Sequence, residues 1–384
     1  MSRTVKEYLK YEKSQKKSDM KILQLCMSQG FGGLELYVLK IAKYLKLTNV
    51  SSHVVCVKDS FIHNKLSNDS FNCDTFSPAF HHLPLFSALK LAKYIDANQI
   101  DVVHAHWGKD LLFAVLAKVF SKRNVKLIYT RHMALTRKKD DFYHRFLYRN
   151  VDAYLVITKS LYTDAVKFLP LEEHKIKLLY LGVPAATGKT GICTDYLEQT
   201  GLDKEPFNLV IFGRIEDGKG QHFVVAAVKK LIQKGIRVHL SMIGHIMDEQ
   251  YFSTLNDEIK KDNLENNIHY LGFHDNPTSI MSCFDAVVLA TKCETFGLVL
   301  PEAMRAGVAV IGSNCGGVPE IIEHERTGLL FETENSDDLA LQLEKIISDS
   351  TLCERLAKAG KADADQRFSE EAHFKQLMEC IESA

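Results

Sequence analysis

Along the chain, short apolar runs alternate with stretches in which apolar side chains recur every third or fourth residue. Runs of four to eight read as buried strands, and the three-to-four spacing as one face of a helix. In the first half the strand-like runs are residues 20–26, 53–57, 102–105, 126–130 and 153–157. Leu34, Val38, Ile41 and Leu45 fall at helical spacing and predict an amphipathic helix over residues 34–46. A second series starts at Phe207, with strands expected at 208–212, 239–243, 268–271, 286–290 and 309–312 and helices at 223–234, 251–260 and 298–306. Such alternation predicts α/β architecture with two doubly wound parallel sheets. Ligands of these folds sit beyond the carboxyl ends of the strands, so the chemistry is sought on the loops that follow strands. Gly182-Val183-Pro184 and the small, polar residues that follow predict a linker over 184–206, with residues 20–183 before it, 207–366 after it, and a basic extension at 1–19.

Composition changes this picture little, since 384 residues with 46% hydrophobic and 25% charged side chains suit a folded two-domain protein. No run approaches the ~18 apolar residues of a membrane span, and the first 20 residues lack the apolar core of a signal peptide. The expected location is the cytoplasm. The nine cysteines include no CxxC pair, which predicts reduced, mostly buried thiols. Charge is more informative: residues 1–185 carry 29 Lys or Arg against 16 Asp or Glu (+13), and residues 186–384 carry 19 against 32 (−13). The basic half lacks an aromatic-basic motif for reading nucleic acid, so no nucleic-acid partner is expected. An anionic membrane is the better-matched partner, and residues 137–149 interleave cations with aromatic rings in the manner of an interfacial helix.

Several loops carry candidate chemistry. Gly30-Phe31-Gly32-Gly33 follows the first strand and brings backbone N–H groups and a helix start close to an anion, while Glu35 stands where a dinucleotide fingerprint needs its third glycine. Gly188-Lys189-Thr190 resembles the end of a P-loop but has Val183 in place of the leading glycine and no strand before it, so that reading is set aside. His104 and His106 fall on one face of a strand and are read as hydrogen-bonding histidines rather than metal ligands. His132 follows the next strand, where a neutral imidazole can meet a hydroxyl or carbonyl. In the second half, Arg214 and Lys219 flank a turn before a helix and match a diphosphate. Glu294 and Glu302 bracket Phe296, Gly297 and Leu298, whose N–H groups are expected near a helix start and can hold phosphate oxygens.

Arg214 with Lys219-Gly220, Glu294 with Glu302 seven residues between them, and Gly316-Gly317-Val318-Pro319-Glu320, in that order, resemble the retaining nucleotide-sugar glycosyltransferases of family 4. The glycine pair 32–33, the segment 101–106 and Thr130-Arg131-His132 resemble that family's first half. The resemblance implies the GT-B architecture, two Rossmann-like domains facing each other across a cleft, with a nucleotide-diphosphate sugar as substrate and no cofactor. It implies an acceptor-side first domain, a donor domain at 207–366, and a C-terminal helix within 367–384, near 373–381, crossing back to the first domain. By position it assigns catalytic roles to His132, Arg214, Lys219 and Glu294. Donor contacts pass to Gly32, Gly33, Phe273, His274, Phe296, Gly297, Leu298 and Glu302, the base lying near Phe273 and His274 and the ribose on Glu302. Asp217-Gly218 departs from the family pattern but keeps the Arg–Lys spacing.

Fixed cations aimed at a departing diphosphate stabilise its growing charge, so the resemblance is consistent with metal-independent transfer. Covalent double displacement needs two close carboxylates, and Glu294 finds no second on the first-half loops. The reading is therefore same-face transfer of a hexose or related sugar to a glycan or glycolipid acceptor, extending to lipopolysaccharide core. A nucleotide-sugar 2-epimerase on the same fold, which turns over donor without acceptor, and a non-catalytic nucleotide-sugar binding module remain as alternatives.

Overall fold

A computed structural model describes residues 20–30, 32–67, 71, 73–76, 85–185, 192–202 and 205–384. The basic extension 1–19 and the triplet 188–190 lie outside the described residues. The chain forms two units, one of residues up to Tyr180 with His373–Ala384, the other of Leu181–Ala372.

The first unit holds seven strands: β1 Lys21–Cys26, β2 Ser51–Val57, β3 Cys73–Phe76, β4 Val102–Ala105, β5 Lys126–Arg131, β6 Ala153–Val156 and β7 Ile176–Leu178. They lie in the order β3-β2-β1-β4-β5-β6-β7, and every pairing is parallel. The second unit holds β8 Phe207–Phe212, β9 Val238–Ile243, β10 Ile268–Tyr270, β11 Ala286–Leu289, β12 Ala309–Ser313 and β13 Leu329–Phe331 in the order β10-β9-β8-β11-β12-β13. Parallel strands covered on both faces read as continuous apolar runs, which is why β4, β6 and β11 are buried along their whole length. The periodicity found the central strands. It missed β3, β7 and β13, which are three- or four-residue edge strands with partly exposed positions.

In each sheet the strand order reverses once, between β1 and β4 and between β8 and β11. A crevice opens at such a point because the helices leaving the two strands go to opposite faces. Gly32, Gly33, Arg214, Lys219, Glu294, Phe296, Gly297, Leu298 and Glu302 follow these central strands, whereas His132 follows β5 and Phe273 and His274 follow β10.

Three expectations are corrected. The segment read as linker contains the helix Ile192–Thr200, and Leu181–Pro206 belongs to the second unit. Its polar composition hides an inward side, where Leu197 is buried and Tyr196 meets the edge of Phe284. The cysteines are not all reduced: Cys193 and Cys283 form a disulfide across 90 residues of sequence, a pairing that local spacing cannot reveal. Nor are the free thiols mostly buried; only Cys26 and Cys56 are, while Cys293 is exposed.

The last helix, Glu370–Glu382, packs on the first unit. His373 Nδ1 donates to the Tyr180 carbonyl at 2.6 Å, and Phe374 stacks on Tyr44 at 4.0 Å.

Candidate active site

The second unit assembles its site from the exits of β8 and β11. Gly213 leaves β8 at φ 150°, and its carbonyl passes so close to Gly244 that a Cβ there would lie 1.8 Å away. Gly213 and Ile215 donate to the carbonyls of Ile243 and His245, which fixes the backbone on either side of Arg214. A turn at Asp217–Lys219 then ends in Gly220, left-handed at φ 70°, where a Cβ would stand 2.0 Å from the Ala290 carbonyl. The loop after β8 therefore rests on the exit of β11.

That contact delivers Lys219 to Glu294: Nζ donates to Oε2 at 3.0 Å, both side chains being about one-fifth exposed. Arg214 pairs instead with Glu216 at 2.8 Å. The departure at Asp217-Gly218 has a counterpart, because Asp217 pairs with Lys292 at 2.6 Å and the Gly218 carbonyl accepts from Thr291 Oγ1 and the Lys292 amide. These bonds tie the two loops together on the outer side of the Lys219–Glu294 pair.

Glu294 is held from behind. Gly316 adopts φ 54°, where a Cβ would lie 1.9 Å from the Glu294 carbonyl, and Gly317 donates to that carbonyl at 3.0 Å. Gly316 and Gly317 thus hold the peptide group that carries the carboxylate. The helix after the loop begins later than expected, at Val299, and has seven residues, Val299–Arg305. Gly297 is left-handed at φ 86°, and the N–H groups of Gly297 and Leu298 donate to nothing among the described residues. Phe296 turns its ring into the core against Phe368, so only its backbone faces the loop. Glu302 lies half-buried in the helix. Phe273 and His274 follow β10, two strands from β8. The half-exposed Phe273 ring stacks on His245 at 3.8 Å, and His274 presents its ring to Tyr196. His245 and Tyr196 were missed because neither belongs to a spaced motif.

In the first unit the loop after β1 is built on two buried carboxylates. Asp110 Oδ2 accepts the Met27 amide at 2.8 Å, and Ser28 Oγ joins the Glu35 carboxylate to the Gly30 amide. Burial pushes the Asp110 carboxyl up to about 8. Asp110 lies three residues past Trp107, fully buried, so its carboxyl serves the loop backbone. Gly32 caps the helix Gly33–Leu47, and a Cβ on Gly33 would meet nothing within 4 Å, so packing does not demand glycine at 33.

Beside this loop lies a histidine cluster. His104 and His106 sit 4.1 Å apart between ring centres, with their Nε2 atoms bonded to Thr130 and Gln24 at 2.7 Å each. Tyr37 meets His106, His132 and His373 edge-on at 5.7, 5.0 and 5.4 Å. His132 Nε2 is buried without a hydrogen-bond partner among the described residues. Burial, with Arg131 and His373 nearby, drives this imidazole down to about 3, so it is neutral at pH 7. Arg131 fixes the loop by donating to the Met133 and Ala134 carbonyls.

Comparison with known proteins places the chain in a family. Residues 31–187 match the Glycosyltransferase Family 4 profile, and residues 194–363 match Glycosyl transferases group 1. The chain is 24% identical over 290 residues to the N-acetyl-alpha-D-glucosaminyl L-malate synthase of Bacillus anthracis, covering 74% of this chain and 75% of that one. It is also 24% identical over 305 residues to the capsular polysaccharide biosynthesis glycosyltransferase CapM of Staphylococcus aureus, covering 76% and 79%. In fold it is similar to Anabaena HepE crystallised with UDP (TM-score 0.84, 23% identity, 95% of this chain and 100% of that one). The lipopolysaccharide outer core galactosyltransferase WaaB also shares the fold (TM-score 0.74, 16% identity, 95% and 99%).

Proposed function

Because this chain belongs to the family 4-type glycosyltransferases of GT-B fold, we propose that it transfers a hexose or related sugar, with retention and without a metal, from a nucleotide-diphosphate donor to a surface glycan or glycolipid. The observation that carries this is the Lys219–Glu294 pair, seated at the β8–β11 reversal by Gly220 and Gly316. In the structure the cation and the carboxylate occupy each other. Donor binding gives each a better partner: the diphosphate takes Lys219, with Arg214, and a sugar hydroxyl takes Glu294. The free N–H groups of Gly297 and Leu298 meet phosphate oxygens, and Glu302 holds the ribose.

As the glycosidic bond breaks, charge grows on the leaving diphosphate, and Arg214 and Lys219 stabilise it without rearranging. They supply the positive charge for which other transferases use a divalent ion, so turnover persists in EDTA. Asp110 and Glu35 are buried and hold the loop after β1, so neither is placed to attack the sugar. That favours attack from the leaving-group face, with the departing phosphate taking the acceptor's proton, while neutral His132 bonds a hydroxyl through Nε2. The HepE complex with UDP-glucose makes UDP-hexoses the first donors to try.

The acceptor is lipid-linked in this reading, and the first unit binds an anionic membrane peripherally. The helix Phe142–Arg149 buries Leu147 and Tyr148 but leaves Phe142 89% exposed, with Tyr143 and Phe146 also outward and Arg137, Lys138, Arg145 and Arg149 in the same segment. The deciding experiment incubates the protein with UDP-, GDP- and ADP-hexoses and a lipid-linked oligosaccharide in EDTA, then assigns the new linkage by NMR. The expected product keeps the donor's anomeric configuration. An inverted linkage overturns the mechanism, and strict dependence on manganese overturns the metal-free part.

A further inference from the structure

We propose that Gln221 and Tyr251 are positioning residues for Arg214, holding its peptide group so that the guanidinium meets the donor diphosphate. The proposal rests on the donor-site reading of Arg214. Gln221 opens the helix Gln221–Gln233 and is fully buried. Burying an amide is costly unless both its ends are bonded, and here both are. Nε2 donates to the Arg214 carbonyl at 2.8 Å, and Oε1 accepts from the Tyr251 hydroxyl at 3.3 Å. That hydroxyl also accepts the His222 amide at 3.1 Å and lies 2.9 Å from His222 Nδ1. Tyr251 belongs to the next helix, Glu249–Lys261, whose start is capped by Asp248.

The neighbouring backbone bonds show what this amide adds. Gly213 and Ile215 are tied to the exit of β9 through their N–H groups, which leaves the Arg214 carbonyl as the open end of the peptide between them. Gln221 closes it, and it does so from the first residue after Gly220, the position that seats the loop on β11. Arg214 and Lys219 are thus set in one frame. Nothing in the Arg–Lys spacing itself requires glutamine at 221.

The test measures binding of UDP, GDP and ADP by titration calorimetry and then uses the tightest of them on R214A, Q221M, Y251F and R214A/Q221M. Methionine keeps the length and bulk of glutamine without its donor, and Y251F is a milder variant should Q221M fold poorly. R214A is expected to weaken binding at least tenfold, Q221M five- to tenfold and Y251F two- to fivefold, all at unchanged stoichiometry. The double variant should match R214A within twofold, because a residue that acts through Arg214 has nothing left to position. Unchanged affinity in Q221M and Y251F overturns the proposal. So does the same further loss in the R214A background, or a fall in stoichiometry alone, which marks a merely structural role. If R214A itself binds normally, or no diphosphate binds the native protein, the donor-site reading falls and this proposal with it.

Discussion

Lys219 and Glu294 form a partly exposed ion pair, and such pairs add little to folding stability, typically 0–1 kcal/mol. Their role is tested by replacing them. Lys219→Ala, Arg214→Ala and Glu294→Ala should each leave the thermal midpoint nearly unchanged while lowering turnover, by about 2–4 kcal/mol for the two cations if they face developing phosphate charge. Near-native rates in all three variants would remove the diphosphate site. Glu302→Ala should weaken binding of the intact nucleotide more than binding of free sugar, and equal effects in competition assays would contradict a ribose contact. Arg214, Lys219, Glu294 and Glu302 were legible in the sequence because charged groups at fixed offsets from glycines leave a pattern. Gln221 and Asp110 were not, because a buried polar residue bonded to backbone has no preferred spacing from its partner.

Elements matter here through what they allow to come close. The exits of β8, β11 and β12 approach one another only because Gly220 and Gly316 lack side chains and take left-handed backbone angles. Gly316→Ala and Gly220→Ala should therefore destabilise the second unit, by on the order of 1–3 kcal/mol from backbone strain alone and more from the clash with a carbonyl. Activity should fall with them. Gly33→Ala is the contrast: a Cβ there meets nothing, so the fold should be unaffected while donor turnover drops if the backbone approaches a ligand. Melting curves and donor turnover for the three variants decide the matter, and a native-like Gly316→Ala protein would sink the cradle around Glu294.

At the scale of the whole molecule, two expectations follow from charge. His104 and His132 are driven down to about 3 and His373 to about 4, chiefly by burial, and His106 lies well below its ordinary value for the same reason. Unfolded histidines titrate near 6.5, so the stability these groups contribute is fully present above about pH 6.5 and is lost progressively as pH falls toward about 3–4. Asp110, raised to about 8, acts in the opposite sense: its contribution is present below its unfolded value near 4 and lost as pH rises through 8. Four groups outweigh one, so the unfolding free energy should fall between pH 7 and pH 5, by on the order of 1.4 kcal/mol per pH unit for each net proton, and the urea midpoint with it. A constant or rising midpoint would contradict a neutral cluster. For the membrane surface, vesicles of anionic lipid should pellet the protein at 0.1 M salt and release it at 1 M, as the Debye length shrinks from ~10 to ~3 Å. Equal pelleting with neutral and anionic vesicles, or retention of binding by Phe142→Ser with Arg137→Ala and Lys138→Ala, counts against the contact.

The sequence by itself determined the two parallel α/β sheets, their central strands, the family and the spaced charges of the donor loop. Each of these is written in local order, as periodicity or as fixed offsets along the chain. Only the tertiary structure decided which loops meet: Lys219 with Glu294 across 75 residues, Gly316 beneath Glu294, Cys193 with Cys283, and His373 against Tyr37 across 336. Those contacts depend on strand order and on carbonyls passing within reach of missing side chains. They join residues far apart in the chain, and no local pattern records them.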